Sequence, residues 1–424
     1  MRDAYVKGPS FAALRPAKPP TDPSDFPVYP DLVDRLVEDA RQPDPDGVVP
    51  HVMATCSAYA YAGFQHQSDP ETLSVIMARL GLEENDCRVF EQRVDAMYIA
   101  SAAYLIQDKD RRVAILAYRG TQPEDIISIL TDADVRPEML TVELQGRRHE
   151  VHAGFYRNVR ATRHLVVRAL EGALRGESVI PDEPGARGGG LEALYITGHS
   201  LGGAMAALMA VTLVHEPRYR HITDRLRGVY TFGQPMIGGP DLARACAEAP
   251  GPNGTHILRD RLIRYIFDRD VVPALPPRPV GPYAPFGREF HYRRRHGLTD
   301  ALLTSATDTA VEALNLPTDA LRTVATGGWG DLAVRATEGA RRSVRPLLRC
   351  RDEGWREVTE PDLHYPQMDS LAGLAVVAPL AFFATRLALT RTIPFKYSFD
   401  DHGPGHYVNA LAPPGVLSEF GDVL

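Results

Sequence analysis

Short apolar runs alternate with stretches of helical spacing through the middle of the chain. The runs lie at 194–197 (LYIT), 228–232 (GVYTF) and 262–267 (LIRYIF). Segments with helical patterning lie at 155–174, 201–215 and 240–248. Alternation of this kind predicts an α/β fold, in which a mostly parallel central sheet carries helices on both faces.

A hairpin precedes this alternating region. The strand-like sequences AAYLIQ, at residues 102–107, and RRVAILAYRG, at residues 111–120, flank a polar turn at 108–110. The second sequence is apolar enough for a strand that is buried in the centre of a sheet. Helical patterns are also predicted further upstream, near residues 31–40, 51–64 and 70–82.

The two ends of the chain differ from this region. Residues 1–30 contain seven prolines and are predicted to be a tail outside the core, which we assign to residues 31–297. Residues 298–390 are rich in Ala, Thr, Leu and Arg at helical spacing, and are predicted to form an α-helical insertion or cap. Residues 391–424 would then return to the core.

The longest apolar run, at 371–385, is shorter than a membrane-spanning helix. It contains Pro379, and a span needs about 20 apolar residues, so no transmembrane helix is expected. The run can be interpreted either as a buried helix or as a cap that contacts lipid.

Composition excludes several classes of function. The 424 residues are 44% hydrophobic and 24% charged with a formal net charge of −7, as in soluble globular proteins. There is no basic block that would grip nucleic acid. The four cysteines are far apart, which argues against a zinc site and indicates a reducing compartment. The N-terminus lacks a secretory signal, so a cytoplasmic location or export by another route is expected.

A candidate nucleophile follows the run at 194–197. Residues 198–202 read Gly-His-Ser-Leu-Gly, with a strand before them and an Ala- and Met-rich helix after them. This strand-turn-helix context makes Ser200 the predicted nucleophile, because glycines at 198 and 202 permit the close turn. The amide of Leu201, at the start of the helix, would face a developing oxyanion. The alternative is a turn that only joins strand to helix.

These residues resemble the hallmark of the class 3 lipases, a family of fungal triacylglycerol lipases and animal diacylglycerol lipases. The similarity extends to AYRGT at 117–121, VHAGF at 151–155 and TFGQP at 231–235. It implies the α/β-hydrolase fold, and a second oxyanion donor at Thr121, whose alternative role is to stabilise a turn. Residues 122–130 match the position of the family's lid, although one amphipathic helix on the core is an equal interpretation.

A triad also requires an acid and a base, in the chain order Ser, Asp, His for this fold. The sequence DVVPALPP, beginning at Asp270, resembles the family's aspartate segment, and Asp268 is the competing carboxylate. His402, in DHGPGH, matches the base of diacylglycerol lipase-like members, with His406 as its rival. Three other downstream histidines are expected to be non-catalytic: His291, His296 and His364.

The resemblance implies a serine carboxylester hydrolase that forms an acyl-enzyme. Its substrates would be fatty acyl esters, acylglycerols first and phospholipids second, with peripheral contact to a lipid surface. No metal or organic cofactor is needed for this chemistry. The alternatives are a phospholipase A1-type enzyme that acts as a secreted antibacterial toxin, and an inactive lipid-sensing scaffold with the same fold. The oligomeric state stays open.

Overall fold

The structure is a computed structural model of the chain. It describes residues 1–14, 26–38, 47–63, 68–94, 99–120, 137–183, 189–251, 254–276, 282–295, 351–358 and 400–416.

One sheet organises the described part of the chain. Its nine strands lie in the order β1-β2-β3-β4-β7-β8-β9-β10-β11, and β5 and β6 form a separate hairpin. The strands are β1 (Arg2–Lys7), β2 (Asp86–Val94), β3 (Ile99–Gln107), β4 (Val113–Tyr118), β5 (Glu138–Leu144), β6 (Arg147–Val151), β7 (Ala193–His199), β8 (Leu226–Phe232), β9 (Leu262–Phe267), β10 (Arg288–Arg295) and β11 (Arg351–Val358).

The central strands of this sheet are parallel. β4, β7, β8, β9 and β10 pair in parallel, so the carboxyl ends of these strands lie at one edge. The strands β1 to β4 on one side, and β11 on the other, pair antiparallel to their neighbours. The predicted parallel centre and the hairpin of β3 and β4 are therefore both confirmed.

Helices cover both faces of the sheet and form two apolar cores. They are α1 (Leu32–Val37), α2 (Val48–Tyr59), α3 (Pro70–Leu80), α4 (Ala153–Leu174), α5 (Leu201–His215), α6 (Arg220–Thr223), α7 (Pro240–Glu248), α8 (Ile257–Arg261) and α9 (Pro404–Leu411). α4 and α5 pack in one core, whereas α1, α2, α3 and α9 pack in the other. This two-sided burial explains why the central strands are apolar on both faces, and with the parallel centre it gives the α/β-hydrolase fold.

α5 is apolar all round because it is buried all round. Fourteen of its residues, from Leu201 to Val214, are buried. A helix with one exposed face would carry polar residues there, whereas this one lies between the sheet and neighbouring helices. The nucleophile candidate at its N-terminus is thus carried by a firmly packed element.

Two edge strands lie where the sequence predicts other structure. β1 forms within the predicted proline-rich tail, and Arg88 of β2 holds it through Asp3. β11 lies within the predicted helical insertion, and its sequence RDEGWREV is too charged to be recognised as a strand. Among the described side chains of β11, Trp355 is the buried one, and its Nε1 donates to the carbonyl of Ala410 in α9 at 2.8 Å.

Several predictions fall outside the described residues. They concern Thr121, the lid segment 122–130, His296, His364, the apolar run 371–385, and the insertion other than β11. Within the part of the chain that the structure describes, no helix combines the length and hydropathy needed to cross a membrane.

Candidate active site

Ser200 stands at a sharp bend between β7 and α5. Its backbone adopts φ 59° and ψ −129°, a left-handed conformation that is unfavourable for any residue with a Cβ. Its amide donates to the carbonyl of Phe232, at the end of β8, at 2.8 Å. The bend lifts Ser200 off the edge of the sheet where the parallel strands end.

Two glycines allow this bend to form. A Cβ on Gly198 would lie 2.3 Å from the carbonyl carbon of Gly202. A Cβ on Gly202 would lie 2.2 Å from the carbonyl oxygen of Tyr118, the last residue of β4. The start of α5 therefore packs directly against the end of β4, beside Gly120. The amide of Leu201, in the first turn of α5, has no partner inside the helix.

Asp270 lies just after β9 and accepts three hydrogen bonds. Its Oδ1 accepts from the amide of Val272 at 2.9 Å. Its Oδ2 accepts from His402 Nδ1 at 2.8 Å and from the hydroxyl of Tyr407 at 2.5 Å. The competing carboxylate, Asp268, instead accepts from the amide of Arg294.

His402 is the histidine that reaches this carboxylate. It ends a short 3-10 helix, Asp400–His402, directly before α9. The rival His406, one turn into α9, stacks its ring on Phe267 with ring centroids 5.2 Å apart. The structure thus pairs Asp270 with His402.

The pair lies beside the serine bend. The ring of His402 is 4.4 Å, centroid to centroid, from the ring of His199, the residue before Ser200. A Cβ on Gly233, which follows Phe232, would come within 2.8 Å of His402 Nδ1. Ser200 Oγ and His402 Nε2 are both buried, and neither has a hydrogen-bond partner among the described residues.

His199 and Tyr61 form a second polar link at this site. His199 Nε2 is 2.7 Å from the carbonyl oxygen of His402, and its Nδ1 is 2.9 Å from the hydroxyl of Tyr61. Burial holds the pKa of His199 well below its usual value, and the neighbouring His402 lowers it further. The ring of His199 is therefore neutral at physiological pH.

Three of these residues have no role in the sequence analysis. His199 was within the quoted motif, but its neighbours in space were unknown. Tyr407 follows His402 by five residues, a spacing that could have suggested a contact once the base was chosen. No sequence pattern indicates Tyr61, because it lies outside every motif and far from His199 and Tyr407 along the chain.

Part of the chain is similar to a known family. Residues 115–280 match the sequence model of the family described as Lipase (class 3). This match covers less than half of the chain. The matched segment contains the serine bend and Asp270, whereas His402 lies beyond it.

Two plant proteins are similar to the chain over part of their length. A triacylglycerol lipase of Arabidopsis thaliana is 28% identical over 197 residues, which are 40% of this chain and 35% of that protein. A triacylglycerol lipase of Nicotiana tabacum is 41% identical over 85 residues, 19% of this chain and 13% of that protein. The chain thus spans well under half of the length of these relatives.

Solved lipase structures are also similar to it. Lipase II from Rhizopus niveus matches with a TM-score of 0.42 and 21% identity, covering 57% of this chain and 79% of that one. A lipase from Rhizopus microsporus var. chinensis matches with a TM-score of 0.42 and 18% identity, covering 60% and 80%.

Proposed function

We propose that this protein is a serine carboxylester hydrolase that cleaves fatty acyl esters. The observation that carries the proposal is the 2.8 Å hydrogen bond between Asp270 and His402, placed beside a serine with strained backbone at the end of β7. A carboxylate, an imidazole and a serine hydroxyl in this relation are the parts that acyl transfer requires.

The reaction begins when Ser200 Oγ attacks the ester carbonyl carbon and His402 Nε2 takes the hydroxyl proton. The imidazolium, stabilised by Asp270, then gives that proton to the leaving alcohol, so that an acyl-enzyme and a free alcohol result. Water repeats the sequence and releases the fatty acid. The amide of Leu201 stabilises the oxyanion, and the resemblance assigns the second donor to Thr121.

Acylglycerols are the first substrate class. The support is that two named relatives are triacylglycerol lipases and that the matched segment includes the serine bend. Complete burial of Ser200 is consistent with a site that is covered until a substrate or lipid surface opens it. Residues 298–350 and 359–390, the parts of the predicted insertion outside β11, remain our candidate for a cap.

Hydrolysis of p-nitrophenyl esters across acyl chain lengths tests the chemistry. Ser200→Ala and His402→Ala should each lower kcat by about a thousandfold or more, since members of such a triad act as a unit. The matched control is His406→Ala, which should leave activity close to wild type. Equal hydrolysis by wild type and Ser200→Ala would refute the proposal and favour an inactive lipid-binding scaffold.

The substrate class needs a separate measurement. Fatty acid release should be compared for emulsified triacylglycerol, diacylglycerol and phosphatidylcholine vesicles at equal acyl content. A preference for the acylglycerols is expected. Faster release from the sn-1 position of phosphatidylcholine would instead identify a phospholipase A1.

A further inference from the structure

Tyr61 brings its hydroxyl to the junction of two segments of the site. This oxygen is 2.9 Å from Nδ1 of His199 and 3.3 Å from the carbonyl oxygen of the same residue. A Cβ on Gly120 would lie 2.0 Å from it, so the hydroxyl rests directly on the backbone that leads into Thr121. Burial raises the pKa of Tyr61, and the nearby Ser200 hydroxyl lowers it by a smaller amount. The phenol therefore stays protonated and able to donate.

The hydrogen bonds fix the tautomer of His199. The carbonyl oxygen of His402 can only accept, so His199 Nε2, 2.7 Å away, must carry a proton. Because the ring is neutral, its Nδ1 has no proton and accepts from the Tyr61 hydroxyl. Donation thus runs in one direction, from Tyr61 to His199 and from His199 to the backbone of His402.

The hydrogen bond from His199 holds the catalytic histidine, His402, at a second point. Asp270 holds the imidazole of His402 at Nδ1, whereas His199 holds its main-chain carbonyl. Because His402 is held at both its main-chain carbonyl and its ring Nδ1, rotation of the ring away from the serine is restricted. Misplacement of a reacting group by about 1 Å can cost on the order of a hundredfold in rate.

We propose that Tyr61 and His199 are a positioning pair that sets the approach of His402 to Ser200. Tyr61 keeps His199 in the tautomer that donates from Nε2, and His199 holds the main chain at His402 in place beside the serine bend. The catalytic consequence rests on the proposed function, whereas the tautomer follows from the hydrogen bonds of a neutral, buried ring. The competing explanation is a buried polar pair that serves only stability.

Tyr61→Phe tests the first half of the pair. It should lower kcat about fivefold to tenfold, the effect of losing one hydrogen bond, with KM unchanged. The matched control is Tyr118→Phe, because the Tyr118 hydroxyl is buried without a hydrogen-bond partner among the described residues. This control should keep the wild-type kcat. A loss that appears mainly in KM would overturn the proposal, since Tyr61 would then contact substrate.

Substitutions of His199 test the second half. The side-chain amide of Gln can donate from about the position of His199 Nε2, whereas Ala removes the donor. His199→Gln should therefore recover most of the kcat that His199→Ala loses. If both variants melt near the wild-type temperature yet lose the same activity, donation to the His402 carbonyl does not matter and the proposal fails.

Nitrogen-15 NMR of the imidazoles provides a readout that is independent of turnover. Wild type should have His199 with a protonated Nε2 and a hydrogen-bonded, unprotonated Nδ1, the assignment being made by its loss in His199→Gln. Tyr61→Phe should shift the Nδ1 resonance toward that of a free imine nitrogen. A protonated Nδ1 in wild type would overturn the inferred tautomer even if Ser200-dependent hydrolysis is observed. Conversely, an inactive wild type with the expected spectra would refute only the proposed function.

Discussion

The hydroxyl of Tyr407 donates to Asp270 Oδ2, the same oxygen that accepts from Nδ1 of His402. This hydroxyl also accepts from the amide of Phe267 at 3.2 Å, so the end of β9 holds it in place. Because no positively charged side chain within the described residues pairs with the buried Asp270, hydrogen bonds provide its stabilisation.

Removal of the Tyr407 hydroxyl should impair catalysis more than substrate binding. Tyr407→Phe keeps the ring that packs in the core but leaves the carboxylate with one donor fewer. Bonds to charged groups contribute about 1.5–3 kcal/mol, so we expect kcat to fall at least tenfold with KM little changed. Steady-state kinetics on a soluble ester measure this, and an unchanged kcat would contradict it.

Gly233 should tolerate no side chain without loss of activity. Its φ is +58°, and a Cβ would lie 2.7 Å from Asp270 Oδ2 and 2.8 Å from His402 Nδ1. We expect Gly233→Ala to displace this pair and lower kcat on the order of a hundredfold.

The control for this substitution is Gly146→Ala. Gly146 has a similar φ of +73°, but nothing lies within 4 Å of its Cβ position. Both variants should lose about 1–2 kcal/mol of stability from backbone strain, measured by urea unfolding. Only the Gly233 variant should lose activity, and equal kinetic effects would show that strain rather than collision is responsible.

Asp401 should make stability depend on pH. Burial, together with the nearby carboxylates of Asp268 and Asp270, raises its pKa to about 6, and Arg294, 4.0 Å away, partly offsets this rise. Since the folded pKa exceeds the unfolded value of 3.8, the stability it contributes is complete below pH 3.8 and is lost as pH rises through about 6.

Asp401→Asn should accordingly stabilise the protein at pH 8 but not at pH 4. The gain at pH 8 is at most about 3 kcal/mol, from the difference between the two pKa values. Chemical unfolding at both pH values measures it, with the exposed Asp241→Asn as the control. An equal change at the two pH values would mean that the ionised carboxylate carries no such cost.

Arg264 and Glu289 form an ion pair buried between β9 and β10. They are 2.5 Å apart, and Arg264 also donates to the carbonyl of Gln234, next to Gly233. Arg264→Met leaves a buried carboxylate without this partner, so we expect a loss of about 3–5 kcal/mol in unfolding free energy. The more exposed pair of Arg288 and Glu357 provides the control, and Arg288→Met should cost no more than about 1 kcal/mol.

The sequence predicts those strands and helices whose residue pattern is specific to their surroundings in the fold. β7, β8 and β9 are buried on both faces and therefore read as continuous apolar runs, and the helices between them carry the expected spacing. β1 and β11 were missed because an edge strand is half solvated, so its composition resembles that of a loop or a charged helix.

The site was predictable to the extent that its chemistry lies in contiguous motifs. Ser200 and Asp270 lie in such motifs, and the structure pairs Asp270 with His402 rather than with His406. Tyr61 could not be found in this way, since its role depends on which segments the fold brings together, and no local pattern records that.

The segment from His402 to Ala410 is held by a hydrogen bond at each end. His199 holds the carbonyl of His402, and Trp355 of β11 holds Ala410 at the far end of α9. The position of the imidazole is therefore set by contacts with β7 and β11, two strands of the same sheet.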